Sequence, residues 1–208
     1  MASDASYQQK LYEELSELIG GAEDASALTP SVLKNAHHLD SFTREVLRWR
    51  PDCLSPTPRK AMKDVMLPNG YMIPKGKAFK FLCASSSHSV FCLIGMLVTH
   101  VFYRTHVNAE KQGFDDAKEF SPWRHVGKPL SNSTSVSNSF LPFGVGKTAC
   151  PGRFLATYEI KLFIALVLAR YEISLPKEMQ IDQPGFTFQA PPSGAIRFKA
   201  RAAKDIIF

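Results

Sequence analysis

Leu141-Pro-Phe-Gly-Val-Gly-Lys-Thr-Ala-Cys-Pro-Gly-Arg-Phe-Leu-Ala156 is the stretch on which the reading of this chain turns. It sets one cysteine, Cys150, in a loop punctuated by glycine and proline that runs directly into a long apolar segment. Gly144 and Gly146 permit a positive φ and a close approach of backbone to a flat ligand. Pro151 suits the first turn of a helix, where its missing N–H costs nothing. Gly152 withholds a side chain where something bulky must lie against the backbone. The helix that follows turns its unpaired N–H groups and positive dipole end toward the loop, which suits a cysteinate. A buried structural cysteine is the plain alternative for any lone Cys.

An anionic sulfur held this way is what a haem iron uses as a proximal ligand, because it pushes electron density toward O–O cleavage. The spacing Phe143-x-x-Gly146-x-x-x-Cys150-x-Gly152-x-x-x-Ala156 resembles the haem-binding signature of the cytochrome P450 family, the haem-thiolate monooxygenases. The resemblance implies haem b with Cys150 as the iron ligand and Phe143, Gly146 and Gly152 as cofactor-binding positions. It also implies a fold that is mainly α with small β-sheets, the C-terminal portion of the cytochrome P450 fold. The loop looks most like that of eukaryotic, fungal members acting in secondary metabolism.

Working outward, 208 residues suffice for one substantial core, and 45% hydrophobic residues is ordinary for a globular protein. The net charge of +6 is mildly basic, but no dense Lys/Arg run with interleaved aromatics occurs, which argues against nucleic-acid binding. A diffuse positive face toward an acidic protein partner fits the same charge. Cys53, Cys83, Cys92 and Cys150 have neither zinc-site spacing nor the pairing of a disulfide framework, and fit a reducing compartment. The opening Met1-Ala-Ser-Asp-Ala-Ser has no signal-peptide character, and the most apolar run, Val90 to Val98, is too short to span a bilayer.

Upstream of the cysteine, Leu11, Leu15, Leu18 and Ile19 mark one face of a helix from about Tyr7 to Ile19, ended by Gly20-Gly21. Thr29-Pro30 caps a short helix to about Ala36. Asp40 or Ser41 is expected to start a third helix that Pro51 stops. That helix holds Glu45-Val-Leu-Arg48, a carboxylate and a guanidinium on one face. An exposed ion pair has the same spacing. Phe42-Thr-Arg-Glu-Val-Leu-Arg-Trp-Arg-Pro51 is also similar to the family's Glu-x-x-Arg helix, and Glu119-Phe120-Ser-Pro122-Trp-Arg124 to its second arginine motif. The resemblance implies a buried structural triad of Glu45, Arg48 and Arg124 that locks the meander under the haem.

Asp64 to Gly76 reads as a β-hairpin, with Asn69-Gly70 as the turn signal. Arg59 stands just before it in an extended segment between prolines. It is either a solvated arginine or, by resemblance, a haem-propionate ligand. Between Phe79 and Glu110 the pattern is atypical. None of His88, His100 and His106 matches the family's loop histidine cleanly, and an insertion, such as retained non-coding sequence, is expected there. Lys128 to Ser139, rich in Ser, Asn and Thr, reads as a mobile surface loop. Arg153 to Tyr171 is apolar almost all round and is expected to be buried on both sides. Strands are expected near Tyr171–Ser174, Phe186–Gln189 and Ala195–Lys199.

The organisation expected is one partial domain over 1–208. Helices occupy 7–50, a β-hairpin region 64–82, the insertion 83–107, the meander 108–127, the loop and haem motif 128–152, the buried helix 153–171 and C-terminal strands 172–208. Two departures from the family pattern stand out. Thr148 occupies the position where an Arg or His usually reaches a propionate, and neighbouring Lys147 is the substitute, at a cost of about 1.5–3 kcal/mol. The resemblance also covers only the C-terminal part of the pattern, so no catalytic residue of the oxygen-activating helix is expected here.

The activity implied is insertion of one oxygen atom of dioxygen into a small lipophilic substrate. Electrons would come from an NADPH-dependent flavoprotein reductase docking on Lys147, Arg153 and Lys161. The alternatives are a truncated, non-catalytic fragment of such an enzyme, or a haem-thiolate isomerase or dehydratase. The family's usual place is the cytoplasmic face of the endoplasmic reticulum membrane. Without an anchor, a cytoplasmic location is the expectation for this chain.

Overall fold

The computed structural model describes residues 4–20, 24–49, 57–67, 70–81, 120–137, 140, 142–175, 196–202 and 206–207. Four helices form the described core: α1 (Ala5–Ile19), α2 (Pro30–Lys34), α3 (His37–Trp49) and α4 (Arg153–Arg170). Three two-stranded antiparallel sheets accompany them. The fold is mainly helical with small sheets.

Local chemistry accounts for the first two helices. Asp4 caps α1 by accepting the Ser6 N–H, and Leu11, Leu15 and Ile19 bury one stripe. Thr29 caps α2 by accepting the Val32 N–H at 3.3 Å, with Pro30 in the first turn. α3 starts at His37 rather than at Asp40 or Ser41. Its cap comes from another helix: Glu14 on α1 accepts the N–H groups of His38 (2.7 Å) and Leu39 (2.9 Å). No residue next to α3 could have signalled that start.

α4 lies against α1, α2 and α3. Leu11, Leu15, Leu33, Leu39, Phe42, Ala165 and Leu168 make the centre of the core. The expectation that α4 is buried on both sides is not met. Thr157, Lys161, Ala165 and Leu168 form the buried stripe, while Phe154, Leu155 and Phe163 are 58%, 61% and 66% exposed. A helix apolar all round still buries only the side on which other elements pack.

β2 (Val65–Met66) and β3 (Met72–Ile73) pair as a hairpin, with Gly70 at φ +84° in the turn; Pro68 and Asn69 lie outside the described residues. β1 (Thr57–Lys60) and β4 (Ala78–Phe81) enclose that hairpin. β5 (Tyr171–Ser174) follows α4 and pairs with β6 (Arg197–Ala200). Gln8 ties this last sheet to α1: its side-chain amide donates to the Ile173 carbonyl and accepts the Ile173 N–H. The expected insertion at 83–107, its histidines, the run Val90–Val98, the strand Phe186–Gln189, Glu119, and Cys53, Cys83 and Cys92 lie outside the described residues.

Candidate functional site

The loop before α4 is closed by its own backbone. The Cys150 N–H donates to the Phe143 carbonyl at 2.8 Å, and the Ala149 N–H to Gly146 at 3.1 Å. Gly144 (φ +72°) and Gly146 (φ +68°) take the left-handed conformation that the closure requires, and Gly146–Thr148 makes one 3-10 turn. α4 begins at Arg153, so Pro151 and Gly152 form a turn ahead of it rather than its first residues. The Gly152 carbonyl accepts the Ala156 N–H at 2.9 Å.

Cys150 is exposed and carries no disulfide. A Cβ placed on Gly152 would stand 3.9 Å from its Sγ, and one on Gly146 would meet no atom within 4 Å. The exposed thiol thus stands close to the bare backbone of Gly152. Phe143 is half-buried, and Lys147 and Thr148 are exposed. Arg59 lies on β1 opposite Phe79 of β4, and its side chain is outside the described residues.

The three cations expected to form one docking face separate. Lys147 is exposed. Arg153 is half-buried and spends its guanidinium on two carbonyls, Thr134 (3.0 Å) and Cys150 (2.9 Å). Lys161 is buried, ion-paired with Asp40 and bonded to the Leu33 carbonyl at 3.3 Å. It lies on the stripe of α4 that faces α2 and α3, so it cannot present charge to a partner.

Glu45 is fully buried at the centre of a charged cluster. Arg48 donates to it through Nε and Nη2, both at 2.7 Å, and Arg124 Nε approaches at 3.2 Å. The Ser121 N–H donates to the same carboxylate at 2.9 Å, and His125 Nε2 stands 3.4 Å away. The structure thus brings Glu45, Arg48 and Arg124 together and adds Ser121 and His125, which no sequence spacing indicated. Adjacency to Arg124 was the only available hint of His125.

Burial by itself would raise the Glu45 pKa. Hydrogen bonds from Arg48, His125 and Ser121, with the Arg48 charge, overcome it and hold the carboxyl well below the usual range. Burial lowers His125, against the opposing pull of Glu45. Burial also brings Arg44 down to about 10, opposed by Asp40 and Glu45.

A second buried cluster was not anticipated. Asp40 accepts the Ser133 N–H at 2.9 Å and the Ser133 hydroxyl at 2.6 Å while pairing with Lys161. Arg44 Nη1 donates to the Asn132 carbonyl at 2.6 Å, and its guanidinium lies 3.8 Å from the centre of the buried Phe140 ring. Ser133 is wholly buried, so the Lys128–Ser139 stretch is not simply a surface loop. The Ser133 hydroxyl and amide satisfy Asp40 of α3, and the Asn132 carbonyl accepts from Arg44 of the same helix.

A cleft of about 450 Å³ opens between α1, the start of α3 and Val126–Gly127, and its lining includes no residue of the cysteine loop. Among the described residues, no group of three or more His, Cys, Asp or Glu is placed to hold a metal ion by itself. None of the described helices is long and apolar enough to cross a membrane.

The family model for cytochrome P450 matches residues 1–90 and 95–196. The chain is 34% identical over 164 residues to an ent-kaurene oxidase of Gibberella intermedia, covering 79% of this chain and 29% of that protein. It is 29% identical over 187 residues to the cytochrome P450 monooxygenase CYP512U6 of Ganoderma lucidum, covering 85% and 33%. It is 29% identical over 190 residues to the cytochrome P450 monooxygenase atmQ of Aspergillus flavus, covering 88% and 31%. The chain spans about a third of the length of the curated relatives it matches. This chain belongs to the cytochrome P450 family and is similar to its fungal members.

The family is a haem family, and the residues present fit that group on the ligand side. One soft sulfur stands exposed beside the bare backbone of Gly152.

Proposed function

We propose that this chain carries the proximal haem site of a cytochrome P450 monooxygenase. In this reading Cys150 would hold the haem iron, and Phe143, Gly146 and Gly152 would hold the cofactor beside it. Arg59, and Lys147 in place of an arginine at position 148, serve the propionates. The observation that carries the reading is the exposed Cys150 thiol, held where the Phe143 carbonyl closes a two-glycine loop at the start of α4. Bound haem would supply activation of dioxygen and transfer of one oxygen atom to a small lipophilic substrate.

The protein's own part is positioning. The loop fixes the Cys150 backbone, and its glycines would leave room for the cofactor. The Glu45 cluster pins residues 121–125 to α3, which supports the reading of this cluster as the lock of the meander beneath the ring. An NADPH-dependent flavoprotein reductase is the electron donor proposed, approaching the exposed Lys147. Association with the cytoplasmic face of the endoplasmic reticulum membrane is part of the same reading.

Reconstitution with haem, reduction with dithionite and addition of carbon monoxide tests it. The expected result is a strongly red-shifted Soret band that disappears in Cys150→Ala. An identical spectrum in that variant would sink the assignment. A second reading, haem binding without turnover by these residues alone, is favoured by the exposed Phe154, Leu155 and Phe163 face of α4. A red-shifted band without reductase-supported product formation would select it.

A further inference from the structure

One guanidinium joins the cysteine loop to the second buried cluster. Arg153 Nε donates to the Thr134 carbonyl at 3.0 Å, and its Nη1 donates to the Cys150 carbonyl at 2.9 Å. The neighbour of Thr134 is Ser133, which is wholly buried and bonded to Asp40 through both its amide and its hydroxyl. Asp40 in turn is paired with the buried Lys161 on α4. An unbroken path therefore runs from the core to the residue that carries the thiol: Lys161, Asp40, Ser133, Thr134, Arg153, Cys150.

We propose that Arg153 is a positioning residue for Cys150, referencing the cysteine backbone to the buried Asp40–Lys161–Ser133 cluster rather than to the Glu45 cluster. The inference rests on the reading of Cys150 as the iron ligand. Its physical basis is the guanidinium fork. Two donors in a fixed plane hold two carbonyls from separate segments at one spacing, which a lysine cannot do. The first-turn position of Arg153 alone would explain only the local bond to Cys150. The bond to Thr134, from a segment 19 residues away in sequence, is what makes it a clamp.

Amide hydrogen exchange in the full chain, before any haem is added, tests the clamp. The Cys150 and Ala149 amides donate within the loop and report its closure. Arg153→Gln is expected to speed their exchange at least about tenfold, since it removes the guanidinium that makes both charge-assisted hydrogen bonds. The Leu15 amide of α1 should keep its rate. Ser133→Ala, which touches neither the loop nor Arg153, should act in the same direction by a smaller factor. Arg153→Lys should fall between wild type and Arg153→Gln, and it stands in if the latter does not fold.

Unchanged loop exchange in these variants would overturn the proposal. So would an equal acceleration of Leu15, since that marks general destabilisation. After reconstitution, the variants should convert a fraction of the red-shifted carbon monoxide band to an unshifted one. If the wild-type chain gives no red-shifted band, the ligand reading fails, while the exchange rates still decide the clamp.

Discussion

Arg48 meets Glu45 with both edges engaged, Nε on Oε2 and Nη2 on Oε1, each at 2.7 Å and both side chains buried. The pair is three residues apart on one helix, so α3 alone suffices to form it. What makes it more than a surface ion pair is the approach of Arg124, the Ser121 amide and His125 from a segment 76 to 80 residues downstream. Together they satisfy the carboxylate that burial has stripped of water.

Glu45→Gln is expected to destabilise the chain by about 3–5 kcal/mol, because it strands Arg48 and Arg124 without a counter-charge. Urea unfolding followed by circular dichroism measures it. A loss below about 1 kcal/mol, the range of an exposed pair, would contradict the burial described.

Stability should fall in two stages as the pH is lowered. His125 and Glu45 both titrate below their ordinary values when folded, so the unfolded chain binds more protons in acid. The His125 contribution is present above its ordinary value of 6.5 and is lost as the pH falls below it. The Glu45 contribution is present above 4.5 and is lost below that. Thermal unfolding across the acid range should show both declines, and His125→Asn should remove the first.

Lys161 and Lys147 should separate cleanly. Lys161→Ala leaves the half-buried Asp40 carboxylate with only its Ser133 hydrogen bonds and is expected to cost about 1.5–3 kcal/mol. Lys147→Ala, at an exposed position, should stay within about 0.5 kcal/mol of wild type. Thermal midpoints of the two variants make the comparison, and equal effects would contradict it.

Gly146→Ala probes the loop backbone. A methyl group there has open space, so the cost is conformational: about 1–2 kcal/mol for holding a φ of +68°. Chemical denaturation measures it, and an unchanged midpoint would mean the loop rearranges without penalty.

Phe163→Ser, on the exposed side of α4, is expected to leave stability within about 0.5 kcal/mol and to reduce self-association. Light scattering and thermal unfolding on the same samples check both. A loss of several kcal/mol would mean that this side chain is covered in solution.

The parts legible in sequence are those whose partners lie within a few residues. The Thr29 cap, the Glu45–Arg48 spacing, the Gly70 turn and the glycine pattern around Cys150 all fall in that class. Backbone geometry fixes those distances before any packing occurs, so residue type and spacing are enough. The family resemblance of the cysteine loop was legible for the same reason.

Other features had no local signal. Glu14 caps a helix that starts 23 residues later, Lys161 is drawn inward by Asp40, and Ser133 turns a polar stretch into a buried tether. α4 was a special case, because an apolar surface all round says that burial is favourable but not which side receives it. Sequence by itself determined the local elements and the spacing of glycines around Cys150. Only the tertiary structure decided which charges are buried and what they hold, because a buried charge is tolerated only where distant segments bring its partners within hydrogen-bonding reach.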